Sequence, residues 1–176
     1  MDQFTISKVS IIRLYRHYTA VLEITNTNGK VWTNSDTLHT SSTLQTVPRE
    51  MKLGNDFAFD VFRRNKVTLL AVSYSTFADP AIDTFLTATD IHKIIIRPVL
   101  NPLKWLLWSK LIAPRSDSFA IFGDVPGAVD VFGMENKYAG YVFVVDSDGK
   151  IRWKAAGPAT SAELLDLNAT INKLKT

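Results

Sequence analysis

Apolar runs alternate with mixed segments in the central part of the chain and predict a strand, a helix and a second strand. Val67–Ser73 is almost continuously apolar and rich in β-branched residues, as in strands buried on both faces of a parallel sheet. Asp79–Pro80 fits the cap and first turn of a helix, which residues 82–86 continue with apolar positions at helical spacing. His92–Arg97 is the next apolar run, and Pro98 is expected to end it. Together these elements predict a βαβ unit.

The last third of the chain predicts an antiparallel hairpin followed by a closing helix. Tyr141–Val145 is a strongly apolar strand, Asp146–Gly149 has the composition of a tight turn, and Lys150–Lys154 returns with alternating faces. The final helix is expected to begin at Ser161 with a serine cap. Four residues form its predicted apolar side: Leu164, Leu165, Leu167 and Ile171. Residues 113–133 are rich in Pro and Gly and are predicted to be irregular.

The order of these elements is that of a thioredoxin-like α/β domain, in which helices flank a mixed sheet with a parallel half and an antiparallel half. Upstream, residues 21–32 predict a β-hairpin around an Asn/Gly turn, and residues 33–45 predict a loop rich in Ser and Thr. We therefore divide the chain into an N-terminal extension, residues 1–50, and a thioredoxin-like domain, residues 51–176.

The composition narrows the chemistry that this domain can perform. The 176 residues are 46% apolar and 21% charged, which supports a packed core, and the net charge is only +3. Because the chain contains no cysteine, it cannot form a disulfide, a thiolate nucleophile, a Cys-ligated zinc site or an iron–sulfur cluster. Its three histidines, His17, His39 and His92, are too widely spaced to indicate a metal site. The sequence therefore predicts no cofactor and no metal.

The segment SYSTFADPA, residues 73–81, stands at the strand-to-helix corner where redox-active thioredoxins carry Cys-x-x-Cys. Serine and threonine cannot replace cysteine in thiol exchange, and at neutral pH they need a general base to become nucleophiles. Thioredoxin-type enzymes also place a cis-proline just before the third strand, whereas Tyr138–Gly140 occupies that approach here. We interpret the corner as a structural turn that Asp79 caps, rather than as a catalytic site.

The hairpin carries the most specific sequence pattern in the chain. Gly140–Asp146 reads GYVFVVD, a short polar turn follows, and Gly149–Trp153 reads GKIRW. This pattern resembles the mitochondrial ATP synthase assembly factor ten family, a divergent thioredoxin-like group. The resemblance implies structural roles for seven motif residues: Gly140, Tyr141, Asp146, Gly149, Ile151, Arg152 and Trp153. Many members have a cysteine after the second strand, where this chain has Ala155–Gly157, so no redox or metal role is expected at that position.

The resemblance implies a non-catalytic factor on the matrix side of the mitochondrial inner membrane. Such a factor would assist the joining of subunit a to the c-ring in the membrane sector of ATP synthase. Protein partners are therefore expected, together with peripheral membrane contact and without nucleic acid. Two other functions remain open. One is a permanent structural subunit of a mitochondrial complex, such as ATP synthase, a respiratory complex or the mitoribosome, and the other is a cryptic peroxidase-like enzyme.

Residues 103–112 predict a short helix with apolar residues nearly all round. Trp105 and Trp108 lie in it together with Lys104 and Lys110. Such a helix suits contact with a membrane surface or a partner, because indoles favour interfaces and lysines can extend to the polar side. The same composition also fits a helix packed on the domain's own sheet. Both interpretations remain open, and the first makes these four residues the predicted partner or membrane contact.

Overall fold

The computed structural model describes residues 45–53, 56–74, 78–99, 118–122, 132–134, 136 and 138–176. The predicted N-terminal hairpin, residues 21–32, and the predicted helix with two tryptophans, residues 103–112, lie outside this part of the chain.

Ten helices and strands follow one another in the described residues. In chain order they are β1 (Lys52–Leu53), β2 (Asp56–Phe57), α1 (Ala58–Arg64), β3 (Val67–Ser73), α2 (Asp79–Thr87), β4 (His92–Val99), β5 (Ser118–Phe122), β6 (Gly140–Asp146), β7 (Ile151–Ala156) and α3 (Ser161–Lys175). The short strands β1 and β2 pair with each other, and the other five strands form one mixed sheet in the order β5-β4-β3-β6-β7.

The central strand of this sheet, β3, separates a parallel half from an antiparallel half. It pairs parallel with β4 and antiparallel with β6, while β5 and β7 lie outermost. The parallel pair arises because α2 carries the chain from the end of β3 back to the start of β4. The antiparallel pair of β6 and β7 arises because a tight turn joins the two strands directly, and α3 then closes the domain. This is the thioredoxin-like topology, so the predicted fold class is confirmed.

Two apolar layers, one on each face of the sheet, form the core. The first layer lies between the sheet and the helices α2 and α3 and includes Phe85 and Trp153. The second layer lies between the opposite face and α1 and includes Phe62 and Tyr141. Because both faces are covered, every residue of β3 and β6 is buried. Burial of each large apolar side chain contributes roughly 1.5–3 kcal/mol of stability.

Two predictions about the parallel half of the sheet are wrong. The region 113–133, predicted to be irregular, contains β5, which pairs parallel with β4. A run of 5 residues gives little periodicity, and β5 depends on β4 for its hydrogen bonds. Pro98 does not end β4, which continues to Val99. The central strand β3 ends at Ser73, so Pro98 lies beyond the part of β4 that pairs with β3, and it pairs with β5. Proline has no backbone N–H to donate, and its absence is tolerated on this side as it is on an edge strand.

The start and the buried face of α3 also differ from the prediction. Thr160, rather than Ser161, is the N-cap residue of the helix. The Thr160 side chain accepts the Glu163 N–H, and the Glu163 carboxylate accepts the Thr160 N–H, so the two residues form a capping box. Leu165, expected on the apolar side, is 73% exposed. The buried residues of the helix are Glu163, Leu167 and Ile171.

The predicted alternation of faces in β7 is broken by a bulge. The pairing of β6 with β7 shifts between Val144 and Val145, whose partners are Trp153 and Ile151, so Arg152 has no partner in the register. Ile151 and Trp153 consequently point into opposite core layers, although strict alternation would place both on one face.

The segment before β1 joins the main sheet at the start of β7. The Val47 N–H donates to the Gly149 carbonyl at 2.8 Å, and the Ile151 N–H donates to the Gln45 carbonyl at 2.9 Å. The Val47 side chain is buried in the second apolar layer. The core therefore includes a residue upstream of residue 51, at which the predicted domain begins.

Candidate functional site

The strand-to-helix corner connects the end of β3 to the start of α2. Ser73, the last residue of β3, is fully buried, and its Oγ donates a hydrogen bond to Asp79 Oδ1 at 2.9 Å. Ala78 occupies the N-cap position and Asp79 is the first helical residue, so the prediction that Asp79 caps α2 is wrong. The carboxylate instead ties the helix to the strand, and its charge suits the positive end of the helix dipole. Residues 75–77 lie outside the described part of the corner.

Gly140, at the start of β6, lies opposite this corner and pairs with Ser73. A Cβ atom at this position would lie 2.7 Å from Ile82 Cγ1 and 2.9 Å from the Ala78 carbonyl oxygen. Both distances are shorter than a side chain tolerates, and the second neighbour is backbone. Glycine is therefore the residue that allows β6 to approach the first turn of α2 so closely.

A buried asparagine holds the loop that leads into β6. The Asn136 N–H donates to Tyr141 Oη at 2.9 Å, and the tyrosine hydroxyl donates back to the Asn136 carbonyl at 3.0 Å. Asn136 Oδ1 in turn accepts the Tyr138 N–H at 3.0 Å. Because Asn136 and Tyr141 are both buried, these bonds fix the loop beside the corner and keep Gly140 in register.

The chemistry of the corner is restricted by these contacts. Thiol exchange cannot occur because the chain contains no cysteine. The Ser73 hydroxyl is buried and bonded to Asp79, so it does not face solvent as a nucleophile.

In the described part of the chain, no three His, Asp or Glu side chains are close enough to hold a metal ion. None of the described helices is long and apolar enough to cross a membrane.

One carboxylate organises the turn between β6 and β7. Asp146 Oδ1 accepts the N–H groups of Asp148 and Lys150, each at 2.9 Å. Its Oδ2 accepts the Arg152 Nε–H at 2.6 Å. The bulge takes Arg152 out of the strand register and lets its side chain reach this carboxylate. Hydrogen bonds between charged groups are stronger than neutral ones, so Asp146 fixes both the turn and the beginning of β7.

Gly149 closes the same turn. Its φ is 73°, in the left-handed region that side chains resist, and its N–H donates to the Asp146 carbonyl at 3.0 Å. A Cβ atom at Gly149 would also lie 2.9 Å from two ring atoms of Phe59 in α1. Any side chain here would therefore strain the backbone and press against the helix that covers the second core layer.

The seven motif residues lie at the two ends of the hairpin and in the core between them. Two are at the corner end of β6 and three are around the turn, as described above. The remaining two, Ile151 and Trp153, enter opposite core layers, and Trp153 meets the Phe85 ring edge-on with ring centroids 5.7 Å apart. The four predicted contact residues lie outside the described part of the chain: Trp105, Trp108, Lys104 and Lys110. Their role in contact stays a prediction.

Two contacts of this region are absent from the sequence-based predictions. The capping box of Thr160 and Glu163 has a readable signal, because Thr-x-x-Glu before an apolar helix is its sequence signature. The bond between Ser73 and Asp79 has no such signal, since it depends on how the end of a strand and the start of a helix meet in space.

The comparison with known families bears on the C-terminal third of the domain. Residues 129–174 match the family model described as ATP10 protein. Over this segment, the chain is similar to the ATP10 family. The matched ATP10 segment contains Asn136, β6, the turn, β7 and nearly all of α3. The family resemblance predicted from the hairpin is therefore confirmed.

Three solved structures are similar to the chain at low identity. The exposed lipoprotein thioredoxin Etrx1 from Streptococcus pneumoniae strain TIGR4 is 11% identical, with 65% of this chain and 89% of that chain covered and a TM-score of 0.45. A putative thiol:disulfide interchange protein DsbE from Chlorobium tepidum is 13% identical, with coverages of 64% and 82% and a TM-score of 0.37. The N-terminal domain of PilB from N. meningitidis, in its reduced form, is 16% identical, with coverages of 76% and 96% and a TM-score of 0.46. No curated protein sequence matches the chain. The fold assignment rests on the strand order and register.

Proposed function

We propose that this protein is a non-catalytic binding factor that assists the assembly of mitochondrial ATP synthase. The assembly step that it would assist is the joining of subunit a to the c-ring in the membrane sector, at the matrix side of the inner membrane. The observation that carries the proposal is the match of residues 129–174 to the ATP10 family. The matched segment coincides with one intact structural unit, the hairpin and the helix that closes the domain.

The architecture of the corner supports binding without catalysis. The strand-to-helix corner, at which redox-active thioredoxins carry their thiols, begins with a buried serine bonded to an aspartate. The strand opposite it begins with a glycine packed against α2. These contacts stabilise the fold and use no group that transfers electrons or protons to a substrate. We therefore expect the protein to act through its surfaces, with Trp105, Trp108, Lys104 and Lys110 as the predicted contact.

A depletion experiment tests the proposed step. Cells depleted of the chain should contain less complete ATP synthase on native gels, while the soluble catalytic sector remains assembled. Re-expression of the wild-type chain should restore the complete enzyme. Re-expression of Asp148→Ala, which changes one exposed residue of the hairpin turn, should restore it as well. Depleted mitochondria that retain a normal amount of complete ATP synthase would show that the proposal is wrong.

Crosslinking in isolated mitochondria then identifies the partner. The proposal expects adducts with subunit a that are present during assembly and absent from the purified mature enzyme. Two other results would instead support the alternative functions that the sequence leaves open. Stoichiometric presence in a mature complex would indicate a permanent subunit, and turnover of peroxide by the purified chain would indicate an enzyme.

A further inference from the structure

The segment before β1, residues 45–51, lies on the outermost strand β7 in the way that a bound peptide lies on a sheet edge. The two backbone hydrogen bonds described above join Gln45 and Val47 to the start of β7. The pairing is antiparallel, with Thr46 opposite Lys150. Addition of an extended segment to an edge strand is a recurrent mode of peptide recognition, and its affinity comes from such backbone bonds.

One side chain anchors the paired residues. Val47 is buried in the second apolar layer, whereas Gln45 and Thr46 beside it are exposed. In β-strand addition, the backbone gives affinity and the burial of particular side chains gives specificity. The start of β7 therefore accepts an extended segment that carries one β-branched apolar residue.

Few side-chain contacts hold the segment before β1 in place. Among the described residues, its side chains make no hydrogen bond and no ion pair with the rest of the domain. Arg49 lies over the Phe59 ring at 5.8 Å from its centroid, and such a contact contributes little at an exposed site. The attachment to β7 consequently depends on two backbone bonds and one apolar side chain.

The downstream end of the segment is fixed separately. The Ala58 N–H donates to the Met51 carbonyl at 2.8 Å, and the Met51 side chain is buried. A turn, in which the Met51 N–H donates to the Pro48 carbonyl at 3.1 Å, separates this anchor from the paired residues. Residues 45–47 can therefore leave β7 by rotation within the turn while β1 and α1 keep their places.

We propose that the start of β7 is a docking site for an extended segment of a partner polypeptide, and that residues 45–47 occupy it as an intramolecular competitor. The partner segment runs antiparallel to β7, bonds to the Gly149 carbonyl and the Ile151 N–H, and places a β-branched apolar residue where Val47 lies. The inference goes beyond the proposed function and does not depend on it.

The tether decides which ligands can enter. A tethered segment competes at an effective concentration that reaches about the millimolar range for short linkers, so weak ligands are excluded. A second copy of the chain offers the same contacts without the tether and gains nothing over them. A different polypeptide can make additional contacts, and it is therefore the occupant that displaces residues 45–47.

Hydrogen exchange of the wild-type chain tests whether these residues leave β7 without global unfolding. The amides of Val47 and Ile151 are bonded across the contact, whereas β6 lies between β3 and β7. The two amides should exchange at least about a hundredfold faster than those of β6, because they need only local opening. If they exchange no faster than β6, the contact opens only when the domain unfolds, and the proposal is wrong.

A labelled peptide with the sequence of residues 43–49 tests whether the site accepts a separate chain. It is titrated into the purified full chain, and binding is followed by fluorescence anisotropy. Val47→Ala weakens the intramolecular competitor, so this variant should bind the peptide at least about tenfold more tightly than the wild type. Thr46→Ala changes an exposed residue of the same segment and should differ from the wild type by less than about twofold.

A second peptide, identical except for Val47→Asp, tests the apolar requirement. It should bind to the Val47→Ala chain at least about tenfold more weakly, because a carboxylate would have to enter the apolar layer. Equal binding of the two peptides would indicate a nonspecific surface and overturn the assignment.

Two further results would also overturn it. Equal affinity of the Val47→Ala and wild-type chains for the first peptide would show that residues 45–47 do not compete for the site. A dimer in sedimentation that the peptide dissociates would identify a second copy as the occupant. The exchange measurement uses the wild-type chain, so it decides even where Val47→Ala folds poorly.

Discussion

Two glycines of the hairpin are required for different physical reasons. Gly140 leaves room for the Ala78 carbonyl and the Ile82 side chain, so its role lies in a close approach. Gly149 combines a positive φ with contact to Phe59, so its role lies first in the backbone conformation. The GYV and GKIRW motifs therefore each begin with a residue that the geometry demands.

Substitution of Gly149 tests whether the turn requires glycine at this position. Gly149→Val should lower the free energy of unfolding by roughly 2–4 kcal/mol, because the β-branched side chain opposes positive φ and presses on Phe59. Asp148→Ala, in the same turn but exposed, should change it by less than about 0.5 kcal/mol. Urea unfolding measures both. Equal stability of Gly149→Val and the wild type would contradict the turn geometry.

At the scale of elements, the beginning of α3 offers a comparison of two neighbouring residues. Thr160→Ala removes the hydroxyl that accepts the Glu163 N–H and should lower the free energy of unfolding by about 1 kcal/mol. Ser161→Ala, one position later and exposed, should leave it unchanged or slightly higher, since alanine is the better helix former. Thermal and urea unfolding of the two variants measure the difference. A larger loss of stability in Ser161→Ala than in Thr160→Ala would indicate that Ser161 is the N-cap residue, as the sequence predicts.

The predicted helix at residues 103–112 can be tested in the same way. If it is a contact element, Trp105→Ala or Trp108→Ala should weaken the partner complex by about 2 kcal/mol or more while the isolated protein stays stable. If it is packed on the sheet, each change should destabilise the isolated protein by roughly 3–5 kcal/mol. Unfolding measurements and recovery of the crosslinked partner separate the two. Destabilisation by both changes, with no additional loss of partner, would contradict the contact interpretation.

The elements that sequence predicts best are those whose signal is local. The run Val67–Ser73 and the turn at Asp146–Gly149 are both found where expected, because buried central strands and glycine-containing turns constrain composition directly. β5 is missed since a short strand depends on its neighbour. The bulge at Arg152 is missed because it depends on the pairing register, which the alternation of residues does not encode. At the corner, sequence predicts the absence of thiol chemistry, while the bond from Ser73 to Asp79 requires the fold.

At the scale of the whole molecule, the segment before β1 contributes to the stability of the domain. A chain that begins at residue 51 lacks the buried Val47 side chain and the two backbone hydrogen bonds to Gly149 and Ile151. It should be less stable than a chain that begins at residue 45 by roughly 3 kcal/mol, from valine burial and the lost bonds. Chemical unfolding of the two truncated chains measures this. Equal stability would place the boundary of the folding unit after Val47. Val47→Ala in the longer chain is the matched control and should show part of the loss.

The central position of β3 determines the order in which the chain can fold. Val67 pairs with Asp146, and the Gln45 carbonyl accepts the Ile151 N–H. Both β3 and the segment before β1 therefore lack their pairing partners until residues far downstream have been made. During synthesis from the N-terminus, all seven residues of β3 emerge before β6 can cover them. Pairings that are distant in sequence form slowly, and uncovered apolar strands associate with other chains. We therefore expect the newly made chain to be prone to association with other chains until β6 and β7 have been made.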